Sequence, residues 1–304
     1  MVGSNTVSLR RVRQRSVRIA ATVFLLPAAI FLAIYIVYPI FYTFITSTMQ
    51  WKGLGARKVF TGLDNWIVLL KDGNFWNAFV NNIKILFLSL IFQVPFAMAL
   101  ATFLDVTEKK GTVFKVLWFL PYLFSSVAIG VLFKFALDAN YGIIASFSKL
   151  LGGGPVDLLG NSKAALYTVI GVVCWQYIPF YMVLYLAAYG TIPIELFEAA
   201  SIDGATRNQY FWRISLPLLR PTVISGMTIS IIGSLKYFDL IYVMTGGGPG
   251  MATELMATYM YKTSFVRFNM GYGSTVAAGM FILITLVALV TISALNRTKG
   301  TANE

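Results

Sequence analysis

The sequence predicts an all-α, polytopic membrane protein with six transmembrane helices, and three observations carry that prediction. Apolar side chains make up 58% of the 304 residues and charged ones only 12%, about half the charged share of a soluble domain. The apolar residues gather into six runs, each able to supply the roughly 20 helical residues that a hydrocarbon core requires. These runs recur along the chain, which excludes a secreted protein with one N-terminal signal peptide.

In chain order, residues 1–18 form a basic tail with Arg10, Arg11, Arg13, Arg15 and Arg18. The first span, Ile19–Ser47, contains Pro27 and Pro39. Each proline removes a backbone donor, so this span is expected to tilt or kink. The second span is Phe79–Leu104 and the third Val113–Leu137, with Lys109, Lys110 and Lys115 at their connection. The fourth is Leu166–Ala188, the fifth Val223–Met244 and the sixth Val276–Leu295, followed by a short tail, 296–304. Lys and Arg beside a span are retained on the cytoplasmic side. The N-terminal cluster therefore places both termini, and the loop between spans four and five, in the cytoplasm. The outer loops hold two Gly-Gly-Gly-Pro turns, Gly152–Pro155 and Gly246–Pro249, which read as flexible connectors because such turns break helices.

The loop between spans four and five, residues 191–217, is polar in an otherwise apolar chain. It reads as two short helices separated by a turn. Thr191 and Pro193 suit a helix start, Glu195 and Glu198 favour its positive end, and Gly204 supplies a stop. A second segment from Ala205 carries Tyr210, Phe211 and Ile214 at helical spacing and ends at Leu216 and Pro217. An amphipathic helix resting on lipid would offer Lys and Arg to anionic headgroups. Glu195, Glu198 and Asp203 fit a protein partner better, with the small Ala199 and Ala200 open to it.

Several function classes are excluded or weakened. With no histidine, histidine-based zinc sites, proton relays and triads fall together. No metal-ligand cluster or catalytic constellation is evident, so no catalytic or metal residue is assigned and the chain is not read as an enzyme. The single Cys174 allows no intramolecular disulfide. The net charge of +12 suits loop lysines and arginines facing the lipid bilayer rather than nucleic acid. No glycine is followed by lysine anywhere, so a phosphate-binding loop ending in Gly-Lys-Ser or Gly-Lys-Thr is absent. ATP chemistry, if used, belongs to another subunit.

The order Glu198, Ala199, Ala200, Asp203, Gly204, and later Ile214, Leu216 and Pro217, resembles the EAA motif of ATP-binding-cassette importer permeases. The wording IPIELFEAASIDGATRNQYFWRISLPLLRP is similar to the carbohydrate-uptake (maltose and oligosaccharide) branch, as are GLDNW at Gly62–Trp66, FLPYL at Phe119–Leu123 and YFDLIYVMTGGGP at Tyr237–Pro249. The resemblance implies the type I ABC importer permease fold and a bacterial plasma-membrane location. It also implies that Glu198, Ala199, Ala200, Asp203 and Gly204 form a coupling helix seated in an ATPase cleft. The partners it implies are a second homologous permease, two ATPase copies holding ATP and Mg, and an extracytoplasmic solute-binding protein. A homodimer of this chain is the competing arrangement. No cofactor is expected in this chain.

Polar and aromatic residues inside spans are costly in lipid unless they face a cavity or a partner. Trp175, Gln176, Tyr177, Pro179 and Phe180 interrupt the fourth span, and Ser230, Gly233, Ser234, Lys236, Tyr237 and Asp239 the fifth. By resemblance, Gln176, Tyr177, Phe180, Ser230, Gly233, Ser234 and Tyr237 line a sugar site. Lys236 and Asp239, three apart, either pair with each other or serve the ligand. Glycerol 3-phosphate or a related polar solute is the alternative cargo within the same branch. An ion-driven secondary transporter is the rival mechanism, weakened by the scarcity of titratable residues in the spans and the lack of a clear repeat.

Overall fold

The computed structural model describes residues 22–53, 57–106 and 111–300. The N-terminal arginine cluster, Lys109, Lys110 and the last four residues lie outside them. Helix α1, Thr22–Ser47, is followed by a two-stranded hairpin, β1 Met49–Gln50 and β2 Val59–Phe60, antiparallel with Met49 opposite Phe60. Then come α2 Asp64–Lys71, α3 Gly73–Val106, α4 Gly111–Leu123, α5 Ser126–Ala136 and α6 Ile143–Leu150. Next are α7 Ala165–Tyr189, α8 Ile194–Ile202, α9 Arg207–Ser234, α10 Asp239–Met244, α11 Met256–Tyr261 and α12 Met270–Gly300.

Among the described residues, five helices, α1, α3, α7, α9 and α12, are long and apolar enough to cross a bilayer; the bent pair α4 and α5 makes a sixth span when the two are taken together. The expected third span is thus one run of sequence but two helices, bent by 93°. Pro121 sits in the last turns of α4, and Ser125 caps α5 by accepting from the Val127 amide at 3.3 Å. Cap chemistry restarts the helix in a new direction. The fifth span also departs from expectation: α9 starts at Arg207 and ends at Ser234, and the residues to Met244 form a separate short helix. Pro217 does not end the preceding segment, because a π-type turn over Phe211–Ser215 widens the helix just before it. Such a turn loosens the hydrogen-bond ladder that proline would otherwise clash with. The same device, over Ala33–Val37, precedes Pro39 in α1.

The centre of the bundle is α3 packed along α7. Ala97 and Ala101, four apart and fully buried, let Met182 and Tyr185 approach closely, the small-residue spacing that favours close helix packing in lipid. Hydrogen bonds tie the spans where apolar burial gives no preference over lipid. Thr102 and Tyr189 share one at 2.7 Å between α3 and α7, and Ser230 donates to Gln93 Oε1 at 2.9 Å between α9 and α3. Helix α1 stands apart. None of its membrane window is buried by its own chain, and near its end it is fastened where Phe44 stacks on Trp66 and Thr275 donates to the Ser47 carbonyl.

Candidate functional site

The two helix breaks meet. The bend between α4 and α5 and the gap between α9 and α10 face one another beside α7, and α5 lies so close to α10 that a Cβ on Gly130 would stand 3.1 Å from Val243. Between the breaks is a cavity of about 280 Å³ with an aromatic wall. Tyr122 stacks on Phe180 at 5.2 Å and meets Tyr177 edge-on at 5.9 Å; Tyr177 in turn lies 5.6 Å from Tyr237. Gly233 opens onto the same space, with nothing within 4 Å of where its Cβ would stand. Lys236 and Asp239 complete the polar lining. They form no ion pair with each other, because the helix that would have set them three apart on one face has already ended.

Of the seven residues expected to line a sugar site, Tyr177, Phe180, Gly233 and Tyr237 therefore come together at the cavity. Gln176, Ser230 and Ser234 do not. All three are buried, turned into the bundle rather than into the cavity. Gln176 donates to the Phe124 carbonyl and to Ser126 Oγ, each at 3.3 Å, so it holds the bend by satisfying a carbonyl that the break leaves unpaired. Sequence reasoning missed Tyr122. It lies in FLPYL, inside what reads as one continuous third span, and nothing in the string placed it opposite the fourth span.

At one end of the bundle, α8 lies across the termini of α3, α7 and α9. Its C-terminus closes with two bonds, Ala205 N to Ala200 O at 2.9 Å and Gly204 N to Ser201 O at 3.1 Å, the doubled pattern that needs a left-handed residue after the helix. Gly204 takes that role at φ +75°. Helix α9 starts at once with a reciprocal box in which Thr206 caps Gln209 and Gln209 returns the bond. Phe197 packs edge-on to Tyr210 at 5.2 Å and fixes α8 on α9. Glu198, Ala199, Asp203 and Gly204 are exposed, as is Ile202, at 86%. Ala200 faces inward and is buried, so of the two alanines only Ala199 is open to a partner.

The opposite end is a polar clamp. Glu254 is buried and pairs with Lys262 at 2.5 Å, with Gly247 so close that a Cβ there would strike the carboxylate. The Gly246–Pro249 turn is therefore no loose connector. Thr253 donates to the Gly248 carbonyl at 2.8 Å, and Asn77 and Asn81 of α3 donate to the carbonyls of Met251 and Ala252. Nearby, Tyr259 and Tyr272 both donate to Asp72 Oδ2. Burial, and then the Asp72 carboxylate, push the Tyr259 phenol up to about 12, which keeps it a donor near neutral pH.

A bundle of this form, with a central aromatic cavity and an exposed helix at one end, suits a membrane pathway driven from outside the chain. The family described as binding-protein-dependent transport system inner membrane component matches residues 2–299. The chain belongs to that family. It is 32% identical over 276 residues to the probable ABC transporter permease protein YurN of Bacillus subtilis, covering 90% of this chain and 94% of that one. It is 29% identical over 288 residues to the arabinooligosaccharides transport system permease protein AraP of the same organism, covering 94% and 91%. Among solved structures, a bacterial ABC transporter that imports the acidic polysaccharide alginate superposes with a TM-score of 0.79 at 25% identity, covering 98% of this chain and all of that one. The resemblance read from the EAA string holds. This permease is the integral membrane component of an ABC importer that depends on a binding protein; it is a transport subunit, and ATP hydrolysis belongs to a separate one.

Proposed function

We propose that this permease carries a sugar or short oligosaccharide, and the observation behind the proposal is the aromatic cavity at the paired helix breaks. Sugars present apolar ring faces and outward hydroxyls, so stacked tyrosines beside hydrogen-bonding groups match them. A relative named for arabinooligosaccharide transport and a solved importer of a polysaccharide support the same reading. Four of the lining residues, Tyr177, Phe180, Gly233 and Tyr237, bind the cargo; Gln176, Ser230 and Ser234 shape the walls behind them.

The pathway is completed by a second, homologous permease, because up to six spans are few to enclose a sugar-sized path and α1 finds no cover from its own chain along its membrane window. Two ATPase copies, which hold ATP and Mg, receive α8 through Glu198, Ala199, Asp203 and Gly204, with Ala200 seating α8 on α9. A solute-binding protein delivers the cargo at the clamp end. The subunit lies in a bacterial plasma membrane with both termini and α8 on the cytoplasmic side.

Alternating access follows from the connectivity. From its box at Thr206 to the cavity at Gly233, α9 is one rod of 28 residues, about 42 Å long at the usual helical rise. Movement of α8 with a closing ATPase cleft is carried by that rod to the cavity wall. In proteoliposomes holding the complete importer, Tyr177→Ala and Tyr237→Ala are expected to lower uptake by about threefold to tenfold, the size of a lost aromatic contact, with assembly intact. Unchanged uptake across a panel of sugars would remove the cavity from the pathway.

A further inference from the structure

We infer that the cavity selects an uncharged, hydroxyl-rich cargo and discriminates against anionic ones, with Asp239 as the residue that sets this choice. The inference rests on the proposed sugar reading and adds the charge class of the ligand.

Among the described residues, the cavity presents one ammonium and one carboxylate, and no second cation. Lys236 and Asp239 are both exposed to it and unpaired with each other. They stand on either side of the break, where Phe238, at φ −139° and ψ −64°, turns the chain out of helix. An ammonium donates and a carboxylate accepts. The pair thus offers both halves of what a sugar diol needs, since each hydroxyl both donates and accepts. A carboxylate-bearing cargo gains from Lys236 but is opposed by Asp239, so the wall this chain contributes offers it no net electrostatic attraction. Recognition of acidic groups ordinarily uses an excess of cations, often forked arginines, and no arginine among the described residues lines this space. The ring cluster Tyr122, Tyr177, Phe180 and Tyr237 adds flat apolar faces that favour neither charge.

The test measures direct binding of radiolabelled neutral oligosaccharides, and of uronic-acid oligomers of the same length, to the complete importer in nanodiscs. The binding protein is left out so that its own preference does not intervene. The neutral oligomer is expected to bind at least about tenfold more tightly, the scale of one charge-assisted hydrogen bond formed or opposed. Asp239→Asn is expected to shrink that ratio by improving uronate binding, whereas Lys236→Met weakens both. Wild-type binding of the uronate as tight as the neutral oligomer overturns the inference, as does a ratio that Asp239→Asn leaves unchanged. So does tighter binding of glycine betaine, a zwitterion that would also satisfy a lysine and an aspartate. Binding of neither oligomer sinks the sugar reading itself, an outcome distinct from binding of the wrong charge class.

Discussion

Asn82 does with one side chain what a loop would otherwise need several residues to do. Fully buried on α3, it donates to the Leu235 carbonyl at 3.4 Å, where α9 gives out, and accepts from the Met256 amide at 2.9 Å, where α11 starts. Asn82→Ala leaves two buried backbone groups unpaired, a cost of about 1–3 kcal/mol each. The variant importer is expected to melt earlier and transport poorly; a melting temperature equal to the parent's would refute the bridging role. At Asp72, burial pushes the carboxyl up, but the bonds from Tyr259 and Tyr272 and from the Asn74 and Phe75 amides hold it below its ordinary 3.8. A carboxyl depressed by folding contributes stability that is complete above its unfolded value and is lost as pH falls through the folded one. Asp72→Asn should therefore destabilise the protein more at about pH 6 than near pH 3, where part of the contribution is already lost. Melting curves that differ equally at both values would contradict this. Residue by residue, Tyr177, Phe180 and Tyr237 were legible, since aromatic residues interrupting an aliphatic span stand out, whereas Tyr122 was not. The polar half was not, because Gln176, Ser230 and Ser234 look the same in sequence whether they face cargo or satisfy a neighbouring helix.

Among the elements, the unbroken helices α7 and α3 followed from apolar run length, and the start and stop of α8 from Pro193 and Gly204. The breaks did not. Val113–Leu137 and Val223–Met244 are each apolar enough on average to read as one span, and hydropathy is blind to where a helix turns. Only the placement of Gln176 against the Phe124 carbonyl and Ser126, and of Asn82 against Leu235, decides that. The π-type turn ahead of Pro217 escaped for a related reason: proline reads as a stop unless the preceding turn widens. Two predictions belong here. Gly204→Val forces a branched side chain into a left-handed residue and should cost about 1 kcal/mol or more locally. Its expected mark is reduced cargo-stimulated ATP hydrolysis with the membrane bundle assembled; full stimulation would detach α8 from the drive. Gly226 lies where α9 crosses α7, and a Cβ there would stand 2.5 Å from the Tyr185 hydroxyl. Gly226→Val should separate the two helices and abolish uptake, and Tyr185→Phe combined with it should restore part; equal failure of both would argue against a steric cause.

For the molecule as a whole, the chain is half a machine by construction. In this structure α1 finds no cover along its membrane window, and α8 displays Ile202, Glu198 and Asp203 to whatever lies beyond. Proteoliposomes containing this chain alone are expected to take up no sugar at any ATP concentration. Uptake in that preparation would mean that the chain needs neither a second permease nor an ATPase.

The unbroken course of α9, from the turn after α8 to Gly233, has a genetic consequence. A rod shared by the gripping end and the cargo end cannot be tuned at one without the other registering it. Substitutions around Thr206 should then yield suppressors near Tyr237, and transporters that have switched sugars should carry compensating changes far from any sugar.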